Sequence, residues 1–212
     1  IQATLSTLML IGANGLTTVA EQHLSSSLTS LISSLSPVFI FVGTLIIGLQ
    51  RFSIKALIGI LMGFSGVVFI FWDGLQDLAN PDYRMGIFAL FIGIISWATA
   101  TIYTKKLKLT SENLMLNLFY QFAFAGIVQL IIAFSSSDFN IEVWSLKSKL
   151  AVIYLAIFGS VIAFFAYHYL LKHLLATQVS MLSYINTIIA IFLGWLILNE
   201  PITTKFIVAT CL

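Results

Sequence analysis

Long apolar runs follow one another along almost the whole sequence. A run of about 18 or more mostly apolar residues is long enough for a helix to cross the roughly 30 Å hydrocarbon layer of a bilayer. With 59% hydrophobic and 8% charged residues, the chain has too few charges for a soluble domain. Seven complete runs and the start of an eighth predict membrane helices over Ile1–Val19, Leu28–Leu49, Ile54–Phe71, Met85–Thr104, Leu114–Phe134, Leu150–Leu171, Val179–Leu198 and Phe206–Leu212.

A segment that starts at His23 is similar to one that starts at His173, 150 positions later. Both have a Ser-rich entry, an unbroken apolar run and a short polar turn of matching length, with identities that include Ser30/Ser180. Equivalent points of the two copies are five membrane crossings apart, and an odd number of crossings inverts the second copy. Inverted repeats are typical of secondary transporters, whose substrate site lies between the repeats.

The same offset predicts how many helices a complete chain has. Partners of Met85–Thr104 and Leu114–Phe134 would precede residue 1, so we expect ten helices arranged as five plus five. Six Lys and Arg residues flank one side of the runs and four the other. This bias favours cytoplasmic loops after the second, fourth and sixth runs.

No Asp, Glu, Lys or Arg lies in the middle of any complete run. Because a charge inside the membrane is costly and usually functional, its absence argues against a carboxylate proton relay and an anionic substrate. A small neutral or zwitterionic molecule fits better. The charges form no basic cluster, so we expect no nucleic-acid partner.

The sequence offers no catalytic or metal site. Ser160 and His168 are two helical turns apart and cannot form a dyad, and no paired carboxylates or phosphate-binding loop occur. His23, His168 and His173 lack metal-ligand spacing. We therefore predict no enzyme activity, no metal and no cofactor.

Polar residues form stripes on the helices that the repeat pairs. Stripes on the second and seventh runs superpose at an offset of 150, and positions on the first and sixth runs also correspond. Trp97 and Thr101 lie one turn apart in mid-membrane, where a Trp can bound a cavity. The predicted substrate-binding residues are Asn14, Thr17, Ser33, Pro37, Trp97, Thr101, Tyr167, Tyr184 and Thr187. The alternative is that these groups only join neighbouring helices.

Two further features of the runs concern helix shape and packing. Pro37 lacks an N–H and can bend the second helix. Gly59, Gly63 and Gly66 on the third run predict that another backbone approaches closely.

Several segments resemble a known family. They include LTSLISSLSPVFIFVGTLIIG, MGIFALFIGIISWATATIYTKK, and a last segment that ends in the turn LNEP. These segments resemble the EamA-type carriers of the drug/metabolite transporter superfamily. The resemblance implies an all-α polytopic bundle of ten helices in two inverted halves with cytoplasmic termini, of which helices three to nine and the start of ten are present. It implies that residues 1–72 are the C-terminal part of a first repeat, that 73–84 form a polar loop between the repeats, and that 85–212 belong to a second repeat.

Two positions depart from the family pattern. Gln50 stands where the family commonly has Glu, and Thr187 stands where it usually has Pro. The first repeat keeps the proline, as Pro37, and the second repeat keeps the glutamate, as Glu200. The two halves therefore need not bend or gate alike.

The resemblance implies a multi-pass carrier of the cell membrane, of the bacterial inner membrane type, surrounded by lipid. We expect it to export or exchange an amino-acid-like metabolite by alternating access through a central cavity. Alternatives are a nucleotide-sugar or drug carrier of the same superfamily, or a membrane scaffold that transports nothing. The substrate, the driving force, the direction and the oligomeric state stay open.

Overall fold

All the regular structure in the described part of the chain is helical. The computed structural model describes residues 1–72, 75, 78, 80–107, 113–135 and 145–198. The predicted helix at Phe206–Leu212, Glu200 and part of the 73–84 loop lie outside these residues. The main helices are α1 (Gln2–Glu21), α2 (Ser26–Ser33 and Ser36–Ile46), α3 (Ile54–Ile70), α4 (Arg84–Lys106), α5 (Leu114–Ser135), α6 (Leu146–His173) and α7 (Ala176–Ser180 and Leu182–Leu198).

Five of these described helices are long and apolar enough to cross a membrane, and α3 is a shorter apolar helix. Their outer faces are also apolar: the exposed fraction is 65% for Phe88, 64% for Phe119 and 61% for Ile131. So much exposed apolar surface is a liability in water and is favourable in lipid. The chain is therefore a multi-pass membrane protein.

Serines outside the apolar runs set where three helices begin. Ser25, Ser53 and Ser145 each accept a backbone N–H three residues later through the side-chain oxygen. These bonds satisfy N–H groups that the first turn leaves free. Helix α6 consequently begins at Leu146, four residues before the apolar run at Leu150.

Helix α4 is the centre of the described bundle. It packs on α1, where Ser96 Oγ donates to Leu8 O at 2.8 Å and an added Cβ on Gly12 would lie 2.6 Å from that Oγ. Helix α5 is held to α1 by polar bonds that include Ser6 Oγ to Gln121 O at 2.6 Å. Small residues and interhelical hydrogen bonds are the usual means of joining helices in lipid.

Helices α1 and α6, which the repeat pairs, run in opposite directions along α4. Helix α1 is antiparallel to α4 and α6 is parallel to it. The contacts that fix these directions are Leu24 with Gly86 and Leu8 with Ser96 for α1, and Phe164 with Trp97 and Leu171 with Lys105 for α6. Both helices also widen into π-helical geometry, over Thr7–Gly15 and Leu155–Ile162.

The glycines of α3 accommodate side chains of α7. The ring of Tyr184 lies over Gly63, where an added Cβ would be 2.6 Å from Cε2, and Met181 Cε would be 3.1 Å from a Cβ on Gly59. The expected close approach is therefore made by side chains of another helix, whereas the sequence pattern suggested a backbone.

Candidate functional site

A cavity of about 560 Å³ lies among α1, α2, α4, α6 and α7. Its polar lining carries amides, hydroxyls and an indole, and none of its described lining residues is Asp, Glu, Lys, Arg or His. The polar and aromatic lining residues are Asn14, Thr17, Ser33, Ser36, Trp97, Phe164, Tyr167, Ser180, Ser183 and Asn186. These groups can donate and accept hydrogen bonds without carrying a fixed charge.

The lining repeats at the offset of 150 found in the sequence. Five pairs of lining residues are separated by this number: Ala13 and Ala163, Asn14 and Phe164, Thr17 and Tyr167, Ser33 and Ser183, and Ser36 and Asn186. Equivalent helix positions in the two copies therefore meet around one space.

Aromatic rings form one wall of the cavity. The centroid of Trp97 lies 5.3 Å from that of Tyr167 and 6.0 Å from that of Phe164, the latter in an edge arrangement. Phe122 of α5 supports Phe164 from behind at 5.2 Å. The Tyr167 hydroxyl is held by Thr101 Oγ1 at 2.8 Å, which fixes the ring against Trp97.

Serines that line the cavity lie next to interruptions in two helices. Helix α2 is interrupted at residues 34 and 35, between the lining residues Ser33 and Ser36. Helix α7 is interrupted at Met181, next to the lining residue Ser180. Ser180 Oγ donates to Thr177 O at 2.7 Å, so its oxygen still has lone pairs to accept a bond.

Five of the predicted site residues lie together on the cavity. Asn14, Thr17, Ser33, Trp97 and Tyr167 all line it. Substrate binding by these residues stays a prediction.

Four other predicted residues lie behind the lining. Pro37 is buried in the first turn of the second α2 segment, and Thr101 is buried against Tyr167. Tyr184 packs on α3, where its hydroxyl donates to Ile60 O at 3.4 Å. Thr187 Oγ1 donates to Ser183 O at 3.1 Å. None of the four is part of the lining.

The prediction omitted several polar residues that line the cavity. Ser36, Ser180, Ser183 and Asn186 belong to this group. The offset of 150 pairs the predicted Ser33 with Ser183, so applying the repeat to every predicted position would have found one of them. Ser36 and Asn186 pair with each other, and neither was predicted.

Side chains pack between the cavity and the end of the bundle that holds the α2–α3 and α6–α7 connections. Ile40, Leu171 and Val179 form a buried apolar cluster there. Thr177 Oγ1 donates to Gln50 Oε1 at 2.9 Å, which joins the α2–α3 connection to the start of α7. Lys105 Nζ donates to the carbonyls of Leu171 and Leu174, at the end of α6.

Proteins of similar sequence are named as transporters. The chain is 30% identical over 193 residues to an Escherichia coli K12 protein, the uncharacterized inner membrane transporter YedA; the match covers 91% of this chain and 61% of that protein. It is 22% identical over 208 residues to the uncharacterized transporter YoaV of Bacillus subtilis, over 98% of this chain and 70% of the relative. The chain thus spans about 61% of the length of the Escherichia coli relative.

A solved crystal structure shares the fold. It superposes with a TM-score of 0.82 over 99% of this chain and 71% of the other, at 18% sequence identity. The model of the EamA-like transporter family matches residues 84–212. This match covers more than half of the sequence, and the chain therefore belongs to the EamA-like transporter family.

Proposed function

We propose that this protein is a secondary transporter that exports or exchanges a small neutral or zwitterionic metabolite, such as an amino acid, across an inner membrane. The observation that carries the proposal is the uncharged cavity lined by equivalent positions of the two repeats. Membership of a transporter family supports it. In this proposal the protein catalyses no chemical reaction and the cavity carries the substrate.

The chemistry of the lining supports this substrate class. Asn14 and Asn186 offer both amide donors and carbonyl acceptors, which suit the carboxylate and the ammonium group of a zwitterion. A molecule with net negative charge would need a Lys or Arg in the lining, and the described lining has neither. The rings of Trp97 and Tyr167 offer an apolar surface for the remainder of the molecule.

The arrangement of the helices supports alternating access. Helices α1 and α6 run in opposite directions along α4, as an inverted repeat requires. In such carriers one repeat rocks against the other around a fixed central site. The Gln50 to Thr177 bond would be one of the contacts that form and break in that motion.

The test is transport by the full-length protein in proteoliposomes, assayed with a panel of labelled amino acids. Trp97→Ala removes the largest side chain of the aromatic wall, and we expect it to lower kcat/KM about tenfold, or about 1.4 kcal/mol. Trp72→Ala is the matched control, because Trp72 is 58% exposed at the end of α3. We expect this control to stay within about twofold of wild type.

An effect equal in the two tryptophan variants would contradict the assignment of the cavity. Competition by nucleotide sugars or cationic drugs, with none by amino acids, would favour the other carriers of the superfamily. A protein that folds but moves none of these compounds would support the scaffold alternative.

A further inference from the structure

His168 is a buried histidine with one ring nitrogen left without a partner. Its side chain is 2% exposed on α6, and its Nδ1 lies 3.0 Å from the carbonyl oxygen of Phe164. Its Nε2 has no hydrogen-bond partner among the described residues. Leaving a buried polar atom unpaired costs its lost hydration, so a residue of this kind usually has a role that outweighs the cost.

The hydrogen bond identifies the nitrogen that can take up a proton. A carbonyl oxygen only accepts, so Nδ1 must carry the hydrogen and donate it to Phe164 O. Nε2 then holds the free lone pair of the neutral ring. A histidine is the side chain that ordinarily changes charge between about pH 5 and 8.

His168 lies directly behind the aromatic wall of the cavity. Its ring centroid is 5.8 Å from that of Tyr167 and 6.2 Å from that of Phe164, and both of these residues line the cavity. A movement of these rings during transport would therefore change the access of water to Nε2.

In the described part of the bundle, no carboxylate is placed to balance a charge on His168. Lys105, Tyr167 and Tyr184 are unexposed titratable residues of the surrounding helices, and they bond to Leu171 O, Thr101 and Ile60 O respectively. Tyr103, Lys106, Tyr120, Tyr169, Lys172 and His173 are exposed. Among the described residues of α1–α7, the one carboxylate is Glu21, at the opposite end of α1.

The packing therefore accommodates the neutral ring, because an imidazolium here would be a buried charge without a counter-ion. Proton uptake requires that water reach Nε2. Protonation is therefore linked to opening of the aromatic wall. The equivalent residue of the first repeat is Thr18, whose Oγ1 donates to Asn14 O at 3.0 Å. Thr18 and His168 each bond the carbonyl four residues earlier. Of these two residues, only His168 can change its charge.

We propose that His168 is the proton-binding site through which this carrier couples substrate movement to a pH difference across the membrane, an inference that rests on the proposed transport function. Nε2 takes a proton from water on one side, forming an N–H bond and an imidazolium. It returns that proton to water on the other side after the bundle has changed conformation. Nδ1–H stays bonded to Phe164 O throughout, and one proton moves in each cycle.

The experiment uses the full-length protein in proteoliposomes with an imposed pH difference and the best amino acid of the panel. A difference of one pH unit corresponds to about 1.4 kcal/mol and can drive up to about tenfold accumulation if one proton moves per substrate. We expect wild type to accumulate substrate several-fold and to change the pH reported by a trapped dye. We expect H168Q to exchange labelled for unlabelled substrate while neither accumulating it nor moving protons.

H173Q is the matched control, because His173 is an exposed histidine five residues along the same helix. It should accumulate substrate as wild type does. Accumulation by H168Q equal to that of wild type would overturn the assignment of His168 and leave the transport function standing.

Two measurements on wild type keep the proposal testable even if H168Q fails to fold. Substrate movement by wild type that neither responds to the pH difference nor moves protons would overturn proton coupling. If wild type moves no substrate and gives no change in tryptophan fluorescence with any member of the panel, the proposed function itself fails, and the inference fails with it.

Discussion

Helices α2 and α7 are related by the sequence offset of 150, and both are interrupted beside the cavity by different means. In α2 the interruption at residues 34 and 35 comes just before Pro37, which has no N–H to offer to Ser33 O. In α7 the residue equivalent to Pro37 is Thr187, and its hydroxyl donates to Ser183 O at 3.1 Å. The second helix is nevertheless interrupted, at Met181.

The comparison shows that proline is not required to interrupt a helix at this cavity. Met181 corresponds to position 31 of the first repeat, so the α7 interruption lies about one turn earlier than the α2 interruption. The shift brings Ser180 to the cavity in addition to Ser183, whereas its counterpart Ser30 is not part of the lining. Helices α2 and α7 thus contribute unequal sets of hydroxyls to one cavity.

A proline introduced at position 187 should produce the largest effect. Thr187→Pro removes an N–H and places a ring against Ser183 O in a continuous part of α7, which costs about 3 kcal/mol or more. Pro37→Ala should change stability by less than about 1 kcal/mol, because Pro37 lies in the first turn of a segment. Thermal unfolding in detergent measures both. Equal, small changes would show that α7 bends as readily as α2.

The contact between α3 and α7 should be the next most sensitive. In Gly63→Ala the new Cβ meets the buried ring of Tyr184, and we expect a loss of about 1–3 kcal/mol from overpacking. Gly126→Ala on α5 is the control, because its Cβ would meet no atom within 4 Å. The control should be neutral or slightly stabilising in the same unfolding assay. A neutral Gly63→Ala would mean that Tyr184 does not fix α7 to α3.

The bond between Gln50 and Thr177 should show a measurable coupling between the α2–α3 connection and α7. A double-mutant cycle with Gln50→Leu and Thr177→Val should give an interaction energy of about 0.5–1.5 kcal/mol in the unfolding assay. Gln50→Glu keeps an acceptor oxygen for Thr177 Oγ1, and we expect it to retain the coupling. Additive effects of the two single changes would show that this bond does not hold the two elements together.

The paired serines should give the smallest effect. Ser33→Ala and Ser183→Ala each remove one hydroxyl from the lining and should raise KM about two- to fivefold, as expected for one hydrogen bond of modest strength. Ser65→Ala on α3 is the control, because Ser65 is exposed and bonds its own helix at Met62 O. A large effect at one serine alone would show that the substrate contacts the repeats unequally.

The positions of the helices could be predicted from hydropathy, since each must cover the apolar layer. Their ends were less accurate: Ser145 caps α6 and adds a polar first turn that an apolar run does not include. The site residues were likewise predicted only in part. Ser33 and Tyr184 belong to polar stripes related by the repeat, yet Ser33 lines the cavity while Tyr184 packs on Gly63. Helical spacing gives the face of a side chain, and the distance to the neighbouring helix decides what it contacts.

By itself the sequence determined that this chain crosses a membrane as helices, because a backbone in lipid must satisfy its own hydrogen bonds. It also predicted which positions correspond, through the offset of 150 that five pairs of lining residues share. Only the tertiary structure decided that these positions enclose one cavity, that α7 is interrupted without a proline, and that His168 Nε2 is buried without a partner. These properties depend on contacts between residues far apart in the chain, which local composition and spacing do not specify.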